Sequence, residues 1–400
     1  WHDDAAGGVS LGVGRLDVQG GADLMPALGS PGNLGAIAAG SNLGAGLLGW
    51  VAKLGCDSGL ASAGLMHAVY GRTFASLPII LNIVQLVGWG TFELVVMRDA
   101  TVAIGQQSAT MAGAHWPVLA TLLWGGVVML LISGSMVQLV RKVIARVALP
   151  LVVVSLLWLS WQFLSLAQAQ GFEALWNRKG EGGMGVLPAL DLVIAMPISW
   201  LPLVADYARH GKNGGAALRG TWLGYALANL WCYALGVLVA LTLPSKDLVQ
   251  ALLLAQGGLI ALSLILIDEV DNAYGDTYSG AVSAHSLLPR WSVRRWGLAM
   301  TALCTALALV LPMHSLEPFL LLLSSVFVPL FGVILGRLAF GTNAPALLAQ
   351  ARKVNPVPVA IWLAGIAFYH LLPMVSTVLG AALPTLVLCF VLAFATRPRR

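Results

Sequence analysis

Asp268, Glu269, Asp271, Asn272 and Asp276 crowd the end of a strongly apolar stretch, Leu264-Ile265-Leu266-Ile267-Asp268-Glu269-Val270-Asp271-Asn272-Ala273-Tyr274-Gly275-Asp276. At ~100° per residue, Asp268, Asp271, Asn272 and Asp276 share one broad helix face. An acid at mid-bilayer costs about 2.5–3.5 kcal/mol on insertion scales, so such a cluster must face a polar cavity, a cation or its own members. Carboxylates this close can bind a cation or pass a proton between them. The competing reading is a helix end wetted at the membrane interface.

Two further places put polar groups in apolar surroundings. Gln85 and Trp89 stand four residues apart in Gln85-Leu86-Val87-Gly88-Trp89, on one helix face. Ser199 and Trp200 lie in Pro197-Ile198-Ser199-Trp200-Leu201-Pro202-Leu203-Val204-Ala205-Asp206-Tyr207-Ala208-Arg209. The prolines there remove backbone donors, and in lipid such a break is tolerated only in protein or beside a wet cavity. Two indoles can stack on a planar heteroaromatic solute, while an amide offers its edge a donor and an acceptor. Packing tryptophans, and a glutamine bonded to a neighbouring helix, are the alternative. Glu93, one turn beyond Trp89, faces either the cavity or a helix partner. Asp206 and Arg209, three apart, fit a local ion pair. The histidines are too dispersed for a metal site, and the four cysteines show no paired spacing.

The elements that position these groups must be membrane spans. Hydrophobic residues make up 58% of the 400 and charged residues 10%, with mean hydropathy +0.84. That composition excludes a soluble globular chain. Apolar stretches long enough to cross a bilayer fall near 34–51, 74–97, 117–139, 147–166, 186–209, 220–243, 252–274, 296–313, 319–338, 357–372 and 375–394. With an irregular first segment in 1–30, the expected fold is an all-α membrane protein of about twelve spans. The whole chain, 1–400, forms one transmembrane domain. Arg15 and Asp17 interrupt 1–30, no cleavable signal peptide is visible, and the chain begins at Trp1 and not Met, which points to missing upstream sequence.

Lysine and arginine set the orientation. With the N-terminus in the cytoplasm, the inner loops hold Lys53, Arg72, Arg141, Lys142, Arg146, Arg209, Lys212, Arg219, Arg290, Arg294, Arg295, Arg337, Arg352 and Lys353, and the tail adds Arg397, Arg399 and Arg400. Only Arg15, Arg98, Arg178, Lys179 and Lys246 fall elsewhere, the asymmetry of the positive-inside rule. Both termini are then cytoplasmic, and the basic residues mark topology in an inner (plasma) membrane, with no nucleic-acid surface.

On Gln85–Trp89, the string from Ser199-Trp200 through Pro202 to Arg209, and Asp268–Ser279, the chain resembles the nucleobase–cation symporter family 1. It is most similar to bacterial cytosine/purine permeases and hydroxymethylpyrimidine transporters, from about Ala22 onward. The resemblance implies a LeuT-like bundle, with spans 1–5 (1–30 and 31–166) and 6–10 (186–338) as inverted repeats. Spans 1 and 6 are then broken, and two peripheral helices (357–394) follow. It implies a base held between Trp89 and Trp200, with Gln85 and polar groups of span 8, Asn272 among them, at its edge and Ser199 at the break. Sodium is implied between spans 1 and 8, near Asp268. Sodium-coupled members carry hydroxyls where this chain has Asp268 and Glu269, so sodium and protons both stand as coupling ions, with Asp268, Glu269 and Asp271 as coupling residues.

The expected function is therefore import of a nucleobase-like solute by cation symport with alternating access. No cofactor beyond the co-transported ion and no obligate protein partner is called for. The rival is an intramembrane enzyme, because Asp268-x-x-Asp271-x-x-x-x-Asp276 is similar to the magnesium–diphosphate motif of prenyltransferases. That chemistry needs a second acidic cluster, and Asp191 and Asp206 stand alone in their spans. A channel would need a repeated filter or charged ring, and none is visible.

Overall fold

A computed structural model describes residues 15–24, 30–107, 113, 115–134, 149–180, 182, 184–243, 251–252, 257–311, 317–338, 340–376 and 378–397. Among these residues the elements are helices: α1 (Arg15–Leu24), α2 (Ser30–Ser58), α3 (Ser62–Tyr70), α4 (Ser76–Gln107), α5 (Trp116–Ile132), α6 (Leu149–Ala169), α7 (Phe172–Trp176), α8 (Val186–Ser199), α9 (Leu201–Ala208), α10 (Gly214–Thr242), α11 (Gly258–Leu287), α12 (Val293–Val310), α13 (Glu317–Leu338), α14 (Ala344–Ala349), α15 (Pro356–Val375) and α16 (Ala382–Ala395). Helix is the form lipid demands of a separate span, since it satisfies its own backbone donors and acceptors. Among the described residues eight helical stretches are long and apolar enough to cross a membrane, with α8 and α9 together forming one of them, and α5 and α16 are shorter apolar helices. The acids of α11 keep it out of that group.

Small residues let α2 approach its neighbours closely, as its Gly/Ala content suggests. A Cβ added to Gly40 would stand 2.7 Å from Val193 on α8, and one at Gly49 2.7 Å from the Leu218 carbonyl on α10. Gly44 lies directly against Pro197, beside the break. The α2 helix is thus packed along the broken span from Val193 on α8 to Ala205 on α9, which meets Gly55.

Helices α4 and α11 run antiparallel in close contact. Asn82 donates to Ser283 Oγ at 3.2 Å, Leu86 meets Gly280, and Gly90 meets Asp276 and Thr277. Continuing that register puts Glu93 level with Asn272 and Ala273.

Several expectations are corrected. The eighth span does not end near Tyr274: α11 continues to Leu287, so Glu269 to Asp276 occupy its middle and not a wetted end. The loop from Lys53 to Arg72 contains the helix α3. The last span begins at Ala382 and not Val375, because Val375 ends the preceding helix and the chain turns at Gly380, φ +67°. Within the irregular 1–30 segment, Arg15–Leu24 is helical and packed, with Val18 and Leu24 buried and Gly20 and Gly21 against Tyr233 of α10. Residues 1–14 lie outside the described residues.

Candidate functional site

The break between α8 and α9 falls at Trp200, which ends one helix and starts the next at φ −88°, ψ −13°. Pro202 sits in the first turn of α9, where a missing N–H costs nothing. Ser199 is buried, and its hydroxyl turns back to donate to the Met196 carbonyl at 2.6 Å. The Ser199 carbonyl is left for another helix. Gln85 of α4 takes it, with Nε2 donating at 3.0 Å and also reaching Asn82 Oδ1 at 3.2 Å. Asn82 in turn donates to the Pro202 carbonyl at 3.4 Å. Two side-chain amides of α4 therefore hold the opened backbone of the broken span.

One turn along α4, Trp89 is buried against Phe319 and Phe92, both edge-on, at centroid distances of 5.2 and 6.1 Å. Gln85 Oε1 and Trp89 Nε1, an acceptor and a donor on the same face, are both buried with no protein partner. Trp200 is half-buried.

Helix α11 presents a polar stripe to this region. Glu269, Asn272, Asp276, Ser279 and Ser283 are all buried, and their spacing keeps them on one side of the helix. Asn272 Nδ2 donates to Glu269 Oε2 at 3.4 Å. Of the expected face, Asn272 and Asp276 are buried in this stripe together with Glu269, while Asp271 is half-buried and rotated away from it. The side chain of Asp268 lies outside the described residues. Tyr207 of α9 donates to the Gly275 carbonyl at 3.2 Å and meets Tyr278 at 5.7 Å, joining the second half of the broken span to α11.

The structure thus brings Gln85 to Ser199 and Asn272 to Glu269. Asn82, Ser279 and Ser283 are additions. The signal for Ser279 and Ser283 was available as a stripe at helical spacing, visible once α11 is extended past Tyr274, and that for Asn82 as an amide three residues before Gln85 on α4. Glu93 is buried and partnered within the protein.

The two lone acids of the broken span have structural partners. Asp206, fully buried, accepts the Ser62 N–H at 2.9 Å and so caps α3. The expected pair with Arg209 is not made, because that guanidinium donates to the Asp206 backbone carbonyl at 3.2 Å. Asp191 on α8 accepts from the N–H groups of Ala381, Ala382 (2.8 Å) and Leu383 (3.2 Å), capping α16. No group of three or more His, Cys, Asp or Glu able to hold a metal occurs among the described residues.

Helices crossing a bilayer, one of them broken beside a buried polar stripe, define a multi-pass membrane transporter. The chain belongs to the family of permeases for cytosine/purines, uracil, thiamine and allantoin, which matches residues 27–395. Its fold is that of Mhp1, a nucleobase-cation-symport-1 family transporter, in a closed conformation with bromovinylhydantoin bound. There the TM-score is 0.79 at 16% identity, covering 98% of this chain and 90% of that one. The inward-facing conformation of Mhp1 matches with TM-score 0.77 at 16% identity over 98% and 88% of the two chains. MhsT in complex with L-phenylalanine matches with TM-score 0.61 at 16% identity over 98% and 97%. No curated protein sequence matches the chain. The fold is LeuT-like, and the chain is a permease, which sets the prenyltransferase reading aside.

Proposed function

We propose that this permease imports a nucleobase or related pyrimidine, such as cytosine, a purine or hydroxymethylpyrimidine, by cation symport with alternating access. The observation that carries the reading is the buried pair Gln85 Oε1 and Trp89 Nε1, an acceptor and a donor without protein partners, beside the break at Ser199–Trp200. Buried polar groups left unpaired are costly, and a heteroaromatic edge supplies the missing complements. Trp89 and Trp200 stack on the ring faces, and Asn272 bonds the edge from α11. The planar ring ligand in Mhp1 supports a solute of this class.

Asp268, Glu269 and Asp271 serve the coupling ion, sodium or a proton, and Glu269 and Asp276 place buried carboxyl groups on the side facing α4. One co-transported charge at 100 mV contributes ~2.3 kcal/mol, enough for roughly fifty-fold accumulation. The skewed lysines and arginines support an inner membrane with both termini cytoplasmic. Uptake of a radiolabelled pyrimidine and purine panel into proteoliposomes, with sodium and proton gradients imposed separately, tests the reading. Accumulation of one base under one gradient is expected; no base-dependent uptake under either would overturn it.

A further inference from the structure

Arg337 closes the last turn of α13 with only 9% of its surface exposed. Its Nε is buried without a partner, and Nη2 makes only a long 3.4 Å bond to Thr396 Oγ1 beyond the end of α16. Among the described residues no ion pair is made by Arg337; the pairs Lys53–Asp57 and Arg98–Asp99 lie elsewhere. A guanidinium offers five donors in a planar fork, and burying it without a counter-charge is expensive. An anion with several acceptor oxygens is the chemical complement of such a fork.

The surroundings indicate where that anion comes from. Arg397 lies over the Phe394 ring at 4.1 Å, adding a second cation next to Thr396. Phe394 meets Phe340 at 5.6 Å, and Phe340 meets Trp50 of α2 at 6.2 Å. Phe340 is 74% exposed and holds φ at +57°, the positive-φ non-glycine among the described residues. Left-handed backbone is unfavourable for a residue with a Cβ, and here it directs a large aromatic ring outward at a helix end. Exposed aromatics beside arginines at one end of a span are the composition of the membrane–water interface.

We propose that the end of α13, with α16 and α2, forms a binding site for an anionic phospholipid. Its phosphate takes the Arg337 and Arg397 guanidiniums, and an acyl chain lies along Phe340 and Trp50. Basic pockets between spans on the cytoplasmic side suit such headgroups. A free phosphate would satisfy the arginines equally but leave the exposed face of Phe340 uncovered. The placement in the inner leaflet rests on the orientation given under Proposed function.

The test titrates phosphatidylglycerol into the purified chain in uncharged detergent and follows the thermal unfolding midpoint. Phosphatidylcholine and inorganic phosphate are parallel arms. A saturable rise with phosphatidylglycerol alone is expected. Arg337→Gln should raise the half-saturating lipid concentration about ten-fold or more, Arg337→Lys less, and Arg290→Gln in an exposed loop not at all. An equal response in Arg337→Gln and wild type overturns the site, and the same rise with inorganic phosphate overturns the lipid. Should Arg337→Gln fail to fold, Phe340→Ser must weaken the phosphatidylglycerol response while wild-type behaviour overturns the proposal. Stability is the readout, so failed uptake leaves the proposal standing. Labelling of Thr396→Cys from either face of the membrane checks the orientation separately.

Discussion

The Asp206 carboxylate on α9 accepts the backbone N–H of Ser62 on α3 at 2.9 Å, across 144 residues of sequence. Its counterpart at the other end of the same span is Asp191, which accepts three N–H groups at the start of α16. Each half of the broken helix is therefore fastened to a different helix, and the break at Trp200 lies between the fastenings. A motion that swings one half need not drag the other.

Asp206→Ala leaves the Ser62 N–H without its acceptor and should cost about 1–3 kcal/mol. Asp206→Asn keeps an oxygen in place and should recover most of that. Thermal unfolding in detergent separates them; equal midpoints in wild type and Asp206→Ala would show that the cap contributes nothing.

Asp191→Ala should act at the opposite end and locally. Hydrogen exchange at Ala381, Ala382 and Leu383 is expected to rise while α4 and α11 keep their protection. Unchanged exchange at those three amides would remove Asp191 as the anchor of α16.

The two tryptophans should answer differently. Trp89 is packed against Phe319 and Phe92, so Trp89→Ala should cost about 3–5 kcal/mol of stability as well as affinity. Trp89→Phe, which keeps an aromatic in the packing site, isolates the binding term. Trp200 is half-buried, and Trp200→Ala should leave the fold nearly intact. Base stacking is worth ~1–3 kcal/mol per ring, so affinity should fall about ten-fold in Trp200→Ala. Wild-type affinity in both Trp89→Phe and Trp200→Ala would return these rings to packing alone.

Glu269→Gln and Asp268→Asn should abolish gradient-driven accumulation. If a proton is the coupling ion, Glu269→Gln keeps exchange of substrate across the membrane and loses only its concentration. If sodium is, the variant loses the sodium dependence of binding. Accumulation at the wild-type level in both variants would reject a coupling role for the cluster.

Most spans were legible because hydropathy alone identifies a segment that must cross lipid, and the Gly/Ala run of α2 announced close packing. The site was legible in part. Gln85 and Ser199 were recognised as polar groups out of place, but what joins them at 3.0 Å is the Ser199 main-chain carbonyl, while its hydroxyl bonds Met196. The end of α11 was hidden because hydropathy falls away beyond Tyr274, although Gly90 on α4 packs on Asp276 and Asn82 bonds Ser283 further along. The role of Asp206 was hidden for a different reason. Local spacing offered Arg209, while the true partner is a backbone N–H that no side-chain pattern reveals.

The burial of Glu269 and Asp276 in mid-helix also bears on how the protein is made. With about 2.5–3.5 kcal/mol charged against each acid, α11 should not leave the translocon for lipid as an independent segment. It depends on α4, synthesised well before it, to offer Asn82 and Gly90 as a docking face. Glycosylation mapping should find α11 translocated when tested in isolation and retained once α4 precedes it. Insertion of this transporter is then a matter of earlier helices recruiting a later one, with the acids of α11 delaying its release until that partner is present.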